Sequence, residues 1–188
     1  KLVRATEEPI AISYTVNAGF IPLDHWTQDP AIGGGRLLGE VCHFIDLCRY
    51  ITSSPIVTAS IVSLKKADIA ADSWQILLGF ANGSTAAIQY LTNSNKSLPK
   101  EHIVVSSAGK TLVIDNFRTL ECWGFGPGKS IKLWRQDKGQ VACAAAVIAH
   151  LTEKSEGPIP YAQIAEVMQI CLNLWEQVKT GGAGFITH

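Results

Sequence analysis

Apolar and polar residues alternate from Pro9 to Asn17, with Ile10, Ile12, Tyr14 and Val16 in phase. That pattern predicts a strand buried on one face. A stretch rich in Pro, Asp, Gly and aromatics follows from Ala18 to Ile32, and loops of this length inside a compact domain are often functional. From about Gly35 to Thr52 the period becomes helical. Leu38, Val41, Cys42, Ile45, Cys48 and Ile51 mark the expected buried side, while Arg36, Gly39, His43, Asp46 and Tyr50 form a second stripe of polar or small residues.

Period two returns between Pro55 and about Trp134. Ile56 to Leu64 is β-branched, and Ser73 to Ala81 meets Ser84 to Thr92 across Asn82-Gly83, which predicts a type I′ hairpin turn. His102 to Ser106 meets Lys110 to Ile114 across Ala108-Gly109, and Thr119 to Trp123 and Ile131 to Trp134 continue the series. Short links between successive strands imply antiparallel pairing. Gly139 to Lys154 and Pro160 to Lys179 are predicted helices. Pro160 suits a first turn and Gly181-Gly182 a stop. The sum is one α+β domain over residues 1–188, an open, largely antiparallel sheet with helices packed on one face.

Composition narrows the function classes. At 188 residues the chain can bury a proper core. Sixteen basic and sixteen acidic residues cancel, which favours neither nucleic acid nor an anionic membrane as partner. No apolar run reaches the ~20 residues of a membrane-spanning helix and no signal segment opens the chain, so a cytoplasmic home is expected. Five cysteines without a CxxC pair read as reduced, largely core residues rather than disulfides or zinc ligands. The chain opens at Lys1, and Lys1 to Glu8 reads as the end of a helix, which favours a domain excised from something longer.

His43 and Asp46 stand three residues apart on the second stripe, with Gly39 one turn before the histidine leaving room for a small molecule. An imidazole titrates near neutrality and suits general acid/base work; it equally suits a half-buried helix position bonded to a neighbour. Asp46 would orient the ring or accept a packing hydrogen bond. With no second HxxD or HxxxH, a metal site is not expected. Asn17, His25, Trp26 and Arg36 cluster around the loop and the helix start, where they are either turn-forming groups or contacts to substrate hydroxyls or phosphates. Gly124 to Ser130 imitates a phosphate loop, but the first glycine is one residue too close to Gly-Lys and a strand follows, so a hairpin turn is predicted. GxGxxG and βαβ alternation are absent, so no nucleotide site is expected in this chain.

Gly33-Gly34-Gly35 followed by His43-x-x-Asp46 resembles the GGG…HxxD segment of the Gfo/Idh/MocA family of NAD(P)-dependent oxidoreductases, specifically its C-terminal domain. Val16-Asn17-Ala18-Gly19 and Asp24 to Pro30 resemble a subgroup similar to sugar or inositol dehydrogenases, and Lys138-Gly139 with Gly157 to Pro160 resembles the family's closing helical segment. The resemblance implies a glyceraldehyde-3-phosphate-dehydrogenase-like fold and a separate N-terminal Rossmann domain that binds NAD or NADP and supplies a lysine. No cofactor is then expected on this chain. It also implies His43 as the acid/base, Asn17 at a substrate-contacting position, and a homodimer formed through the sheet face. The pattern departs at Gly39, where many members carry Asp, and at Val41, where many carry Gly. The resulting expectation is the substrate-binding half of an oxidoreductase acting on the hydroxyl of a sugar, nucleotide sugar or inositol. The alternative is a non-catalytic ligand-binding or dimerisation domain.

Overall fold

A computed structural model describes residues 8–22, 24–29, 32–64, 72–127, 129–153 and 157–180, together with the backbone of 186–187. Nine strands among them form one sheet: β1 (Ala11–Asn17), β2 (Ile56–Ser63), β3 (Trp74–Phe80), β4 (Thr85–Leu91), β5 (Glu101–Ser107), β6 (Lys110–Asp115), β7 (Thr119–Trp123), β8 (Ile131–Lys132) and β9 (Ile186–Thr187). Their spatial order is β8-β7-β6-β5-β1-β4-β3-β2-β9. The helices are α1 (Cys42–Thr52), α2 (Gln140–Glu153) and α3 (Tyr161–Thr180), with a 3₁₀ turn at Trp26–Gln28 and a π turn at Leu37–Val41. The helix end expected before Glu8 and the Gly181-Gly182 stop lie outside the described residues.

The first strand is also the central one. β1 pairs with β5 antiparallel and with β4 parallel, placing Tyr14 opposite Ile88 and Val16 opposite Tyr90. Parallel neighbours need a crossover rather than a tight turn. Here the chain carries α1 over one face before β2, β3 and β4 return. Alternation then sorts the side chains: Ile12, Tyr14 and Val16 are buried, while Ala11 and Ser13 are exposed on the opposite face.

Helices α1 and α3 cover the buried face, with Phe44, Ile45 and Cys48 of α1 and Ile170, Cys171 and Leu174 of α3 in the core. A charged clamp ties them together. The buried Arg49 Nε donates to both oxygens of Glu166 at 3.1 and 3.2 Å, and Glu166 Oε1 also accepts the Ile56 N–H at 2.7 Å, joining α1, α3 and the start of β2. Helix α2 behaves differently and contributes no residue to the described core; Val141 is 86% and Leu151 71% exposed. All five cysteines are free, but only Cys48 and Cys171 are fully buried; Cys42 is half-buried, and Cys143, on α2, is exposed.

The turn type expected at Asn82-Gly83 occurs instead at Ala108-Gly109. The Asn82-Gly83 link is a three-residue loop closed by Gly83 N–H to Phe80 C=O at 2.9 Å, and only Gly83 has positive φ. That is the type I turn plus left-handed residue of longer hairpins. Ala108 and Gly109, at +49° and +70°, have the two positive φ values of a type I′ turn. No helix among the described residues is long and apolar enough to cross a membrane.

Candidate functional site

The glycine run before the helix is held by close approach as well as by backbone angles. A methyl on Gly33 would lie 2.6 Å from Thr27 Cα and 2.6 Å from the Trp26 carbonyl oxygen, both backbone atoms, so a side chain there would push the Trp26–Gln28 turn away. Gly34 and Gly35 adopt φ of +66° and +76°, the left-handed region open to glycine. His25 caps the same turn: its Nδ1 accepts the Thr27 N–H at 3.3 Å and lies 2.9 Å from Thr27 Oγ1. Trp26 is left 60% exposed beside it.

The helix then starts as a π turn over Leu37–Val41 before α1 begins. A π turn takes up about one residue more than an α turn, which rotates what precedes it by roughly 100°. Gly39, His43 and Tyr50 remain outward and exposed, with Asp46 half-buried beside them. Arg36, however, leaves the stripe and is buried at 3% exposure, and Leu37 and Phe44 enter the core ahead of the half-buried Leu38 and Cys42. The displacement of Arg36 corrects an expectation that assumed an unbroken α-helix. Phe44 follows the π turn and stands three residues past Val41, on the ordinary buried face of α1.

Arg36 becomes the hub of the sheet end. Its Nη1 donates to the Gly19 carbonyl at 2.7 Å and lies 3.7 Å from Asp72 Oδ2, and its Nη2 donates to Glu40 Oε2 at 3.2 Å and to the Ala18 carbonyl at 3.4 Å. The guanidinium also lies 5.1 Å above the Tyr90 ring. Glu40 accepts further hydrogen bonds from Lys100 Nζ at 2.5 Å and from the Tyr90 hydroxyl. Burial alone would push the Glu40 carboxyl up; the Lys100, Tyr90 and Arg36 hydrogen bonds outweigh it and hold the group below its ordinary value. Burial, reinforced by Glu40, pushes the Tyr90 hydroxyl up, so it stays a donor. Asn17 closes the cluster: its Nδ2 donates to the Pro99 carbonyl at 2.8 Å and its N–H to the Lys100 carbonyl at 2.7 Å.

Beside this cluster lies a cavity of about 290 Å³ lined by Ile21, Trp26, Thr27, Gly33, Gly35, Arg36, Gly39 and Glu40. His43 and Asp46 line a second hollow, a groove of about 220 Å³ with Cys42, Ile159, Ile164, Val167 and Met168. Burial raises the Asp46 carboxyl, opposed by His43 and Arg49, and burial likewise raises the Cys42 thiol. The structure thus gathers Trp26 and Arg36 on one cavity, with Asn17 tied to it through Lys100, and places His25 as a turn cap. His43 and Asp46 face a separate groove, one helical turn beyond Gly39 at the cavity edge. Both hollows lie below the usual size range of ligand pockets, and Glu40 would repel a pyrophosphate in the larger one, so neither fits a dinucleotide. Among the described residues no three His, Cys, Asp or Glu side chains are grouped to hold a metal ion.

Sequence reasoning missed Glu40, Lys100, Tyr90 and Asp72 as members of this site. The Arg36 and Glu40 spacing of i,i+4 carries a local ion-pair signal. Lys100 and Tyr90, which are 60 and 50 residues away from Glu40 in sequence, carry none.

A model of the GFO/IDH/MocA C-terminal domain matches residues 8–111. The chain belongs to that family. No curated protein matches it. Among solved structures, this GFO/IDH/MocA domain is similar to aldose-aldose oxidoreductase from Caulobacter crescentus complexed with glycerol, at 17% identity and a TM-score of 0.77, covering 100% of this chain and 58% of that one. It is similar to UDP-N-acetylglucosamine 3-dehydrogenase GnnA from Acidithiobacillus ferrooxidans, at 15% identity and a TM-score of 0.75, covering 95% of this chain and 57% of that one. It is also similar to the WlbA dehydrogenase from Bordetella pertussis in complex with NADH and UDP-GlcNAcA, at 14% identity and a TM-score of 0.66, covering 97% of this chain and 55% of that one. At these identities the likeness is one of fold, and the chain spans under three fifths of the length of these proteins. Where many family members carry Asp before the histidine, Gly39 presents no side chain. Its neighbour Glu40 is turned to Tyr90 and Lys100 rather than along the His43 stripe.

Proposed function

We propose that this domain is the substrate-binding half of an NAD(P)-dependent oxidoreductase that acts on a hydroxyl of a sugar, nucleotide sugar or polyol such as inositol. The observation that carries the reading is the placement of His43. It is exposed on the outward stripe of α1, one turn past Gly39, and Gly39 edges the cavity under Trp26. A methyl on Gly39 would have only the Gly33 carbonyl near it, at 3.6 Å. A substrate seated in the cavity reaches, in this reading, past Gly39 to the imidazole.

In this reading His43 accepts the hydroxyl proton of the substrate and returns it in the reverse direction, and Asp46 steadies the ring. Trp26, Thr27 and Arg36 shape the cavity, while Asn17 and His25 hold the loops that frame it. The nicotinamide, which accepts the hydride, belongs with the Rossmann domain of the parent protein. The test joins the chain to that domain and measures turnover on a panel of sugars and inositols. His43→Ala is expected to cost at least a hundredfold in kcat with little change in stability; turnover equal to wild type would remove His43 from the mechanism.

The alternative, a non-catalytic binding or dimerisation domain, draws support from the missing side chain at Gly39. The uncovered sheet face supports a homodimer under either reading. Register aligns Val113, Val104, Ser13, Ala87 and Leu77 across it, and Leu77 is 54% exposed. Light scattering on wild type and Leu77→Lys tests this, with a dimer mass that falls to monomer in the variant as the expected result. The five free thiols favour a reducing compartment such as the cytoplasm.

A further inference from the structure

The core row of the sheet runs out uncovered at the β8 edge. Register aligns Tyr14, Ile103, Ile114, Leu120 and Ile131 on one face, from β1 through β5, β6 and β7 to β8. Tyr14 and Ile103 are buried, Ile114 and Leu120 partly so, and Ile131 is 51% exposed. Helix α1 packs over β4 and α3 over β2, both on the far side of β1. The exposed edge is nevertheless held in place. Leu133 N–H donates to the Arg118 carbonyl at 2.8 Å, Asp137 N–H to the Phe117 carbonyl at 3.1 Å, and Gln136 Nε2 to the Asn116 carbonyl at 2.8 Å. Residues 131–138 are thus fastened along β7 and the turn before it, yet all are exposed, Trp134 at 89%. An ordered edge strand offers its outer N–H and C=O groups to a further strand.

Charge selects what can pair there. Lys129, Lys132 and Arg135 are exposed, and among the described residues their charged groups have no hydrogen bond or ion pair. The anion beside them, Asp137, accepts the Gly139 N–H at 2.8 Å, and Lys138 is held by Glu101. A second copy paired edge to edge would set these cations against their own counterparts, which opposes association. Cations alone on an edge serve to block like edges; here Ile131 and Trp134 beside them give a partner apolar surface to bury. Register also fixes the pattern of that partner. Ile131 stands opposite Leu120 and Lys132 opposite Thr119, so the two side chains lie on opposite faces. The complementary segment alternates apolar residues beside Ile131 with acidic ones beside Lys132.

We propose that β8 is a docking edge for an extended acidic segment of a partner protein, which adds a strand to the sheet and covers Ile131 and Trp134. The proposal stands apart from the hydroxyl-substrate reading, since none of these residues lines either hollow.

The test titrates the 188-residue chain with a synthetic peptide of alternating valine and glutamate. Its valine–lysine counterpart and oligothymidylate are titrated in parallel, and NMR follows the amides of Ile131 to Trp134. We expect the acidic peptide to bind about tenfold more tightly than the basic one, the effect of several opposed rather than like cross-strand charges. Added salt should narrow that gap. The double variant Lys132→Glu, Arg135→Glu changes only exposed side chains, so the fold stands, and it should invert the preference. Equal binding of the two peptides, binding of neither, or an unchanged preference in the double variant would overturn the proposal. Tighter binding of oligothymidylate would overturn it in favour of a phosphate-binding surface. A dimer mass that falls to monomer with Trp134→Ala would overturn it in favour of a second copy.

Discussion

Glu40 and Glu101 are bound by nearly the same partners. Each accepts a hydrogen bond from a tyrosine on a central strand, Tyr90 of β4 for Glu40 and Tyr14 of β1 for Glu101. Each also takes a lysine, Lys100 at 2.5 Å and Lys138 at 2.6 Å. The two tyrosines pack against the same ring, with Phe44 5.3 Å from Tyr14 and 6.0 Å from Tyr90. The surroundings differ. Glu101 is 5% exposed and lines neither hollow, and Lys138 stands directly before Gly139 and α2, so that pair fastens a connection to the sheet. Glu40 carries Arg36 as an additional partner and forms part of a cavity wall. One constellation closes a structure and the other shapes an open space. Residue types alone therefore do not mark the site; the neighbouring void does.

The largest effect should come from the sealed member. Glu101→Ala leaves the Tyr14 hydroxyl and the Lys138 ammonium without their acceptor, and by the usual cost of breaking a buried pair, discounted for the partial exposure of Lys138, stability should fall by about 3 kcal/mol. Urea unfolding measures this, and a loss as small as that of Glu40→Gln would erase the distinction. Gly33→Ala comes next. Its Cβ would meet backbone at 2.6 Å, so a loss of about 2 kcal/mol, typical of overpacking, should accompany displaced Trp26 resonances.

Glu40→Gln should cost about 1 kcal/mol at neutral pH, since the amide keeps part of the hydrogen bonding. The Glu40 carboxyl is held below its ordinary 4.5 in the fold. A depressed carboxyl stabilises above the unfolded value and loses that contribution as pH falls through the folded one. The gap between wild type and Glu40→Gln should therefore close on acidification below about pH 4.5, as followed by unfolding at stepped pH. The smallest effects should be those of the lysines, which are partly exposed. Lys138→Met should lower the melting temperature slightly and leave ligand affinity unchanged. Lys100→Met should lower it by a similar amount and weaken ligand affinity, because its partner Glu40 lines the cavity.

Strands and helices were legible because their periods are local. The alternation of Ile10, Ile12, Tyr14 and Val16 needs no distant partner to be read, and most observed elements fall within a residue or two of their predicted limits. Turn chemistry was less transferable. Asn-Gly is permissive of a type I′ turn without requiring one, and the register of β3 against β4 selected a three-residue loop instead. The helix stripe was legible from Gly39 through Tyr50, but Arg36 was misplaced because a π turn leaves no signature in the hydrophobic pattern that precedes it.

By itself, then, the sequence determined the α+β class, the strand series, the glycine approach to the helix and the outward placement of His43, each a consequence of contacts among near neighbours. Only the tertiary structure decided that β1 lies at the centre of the sheet in parallel with β4, that Arg36 is buried, and that Glu40 meets Lys100. The strand placement and the Glu40–Lys100 contact depend on pairings of 60 residues or more, as the Tyr14–Glu101 bond across 87 does. Arg36 depends on the π turn and on its bonds to Gly19 and Ala18. Such pairings follow from how whole strands dock to bury one face and satisfy the charges caught beneath it, and no local period encodes that.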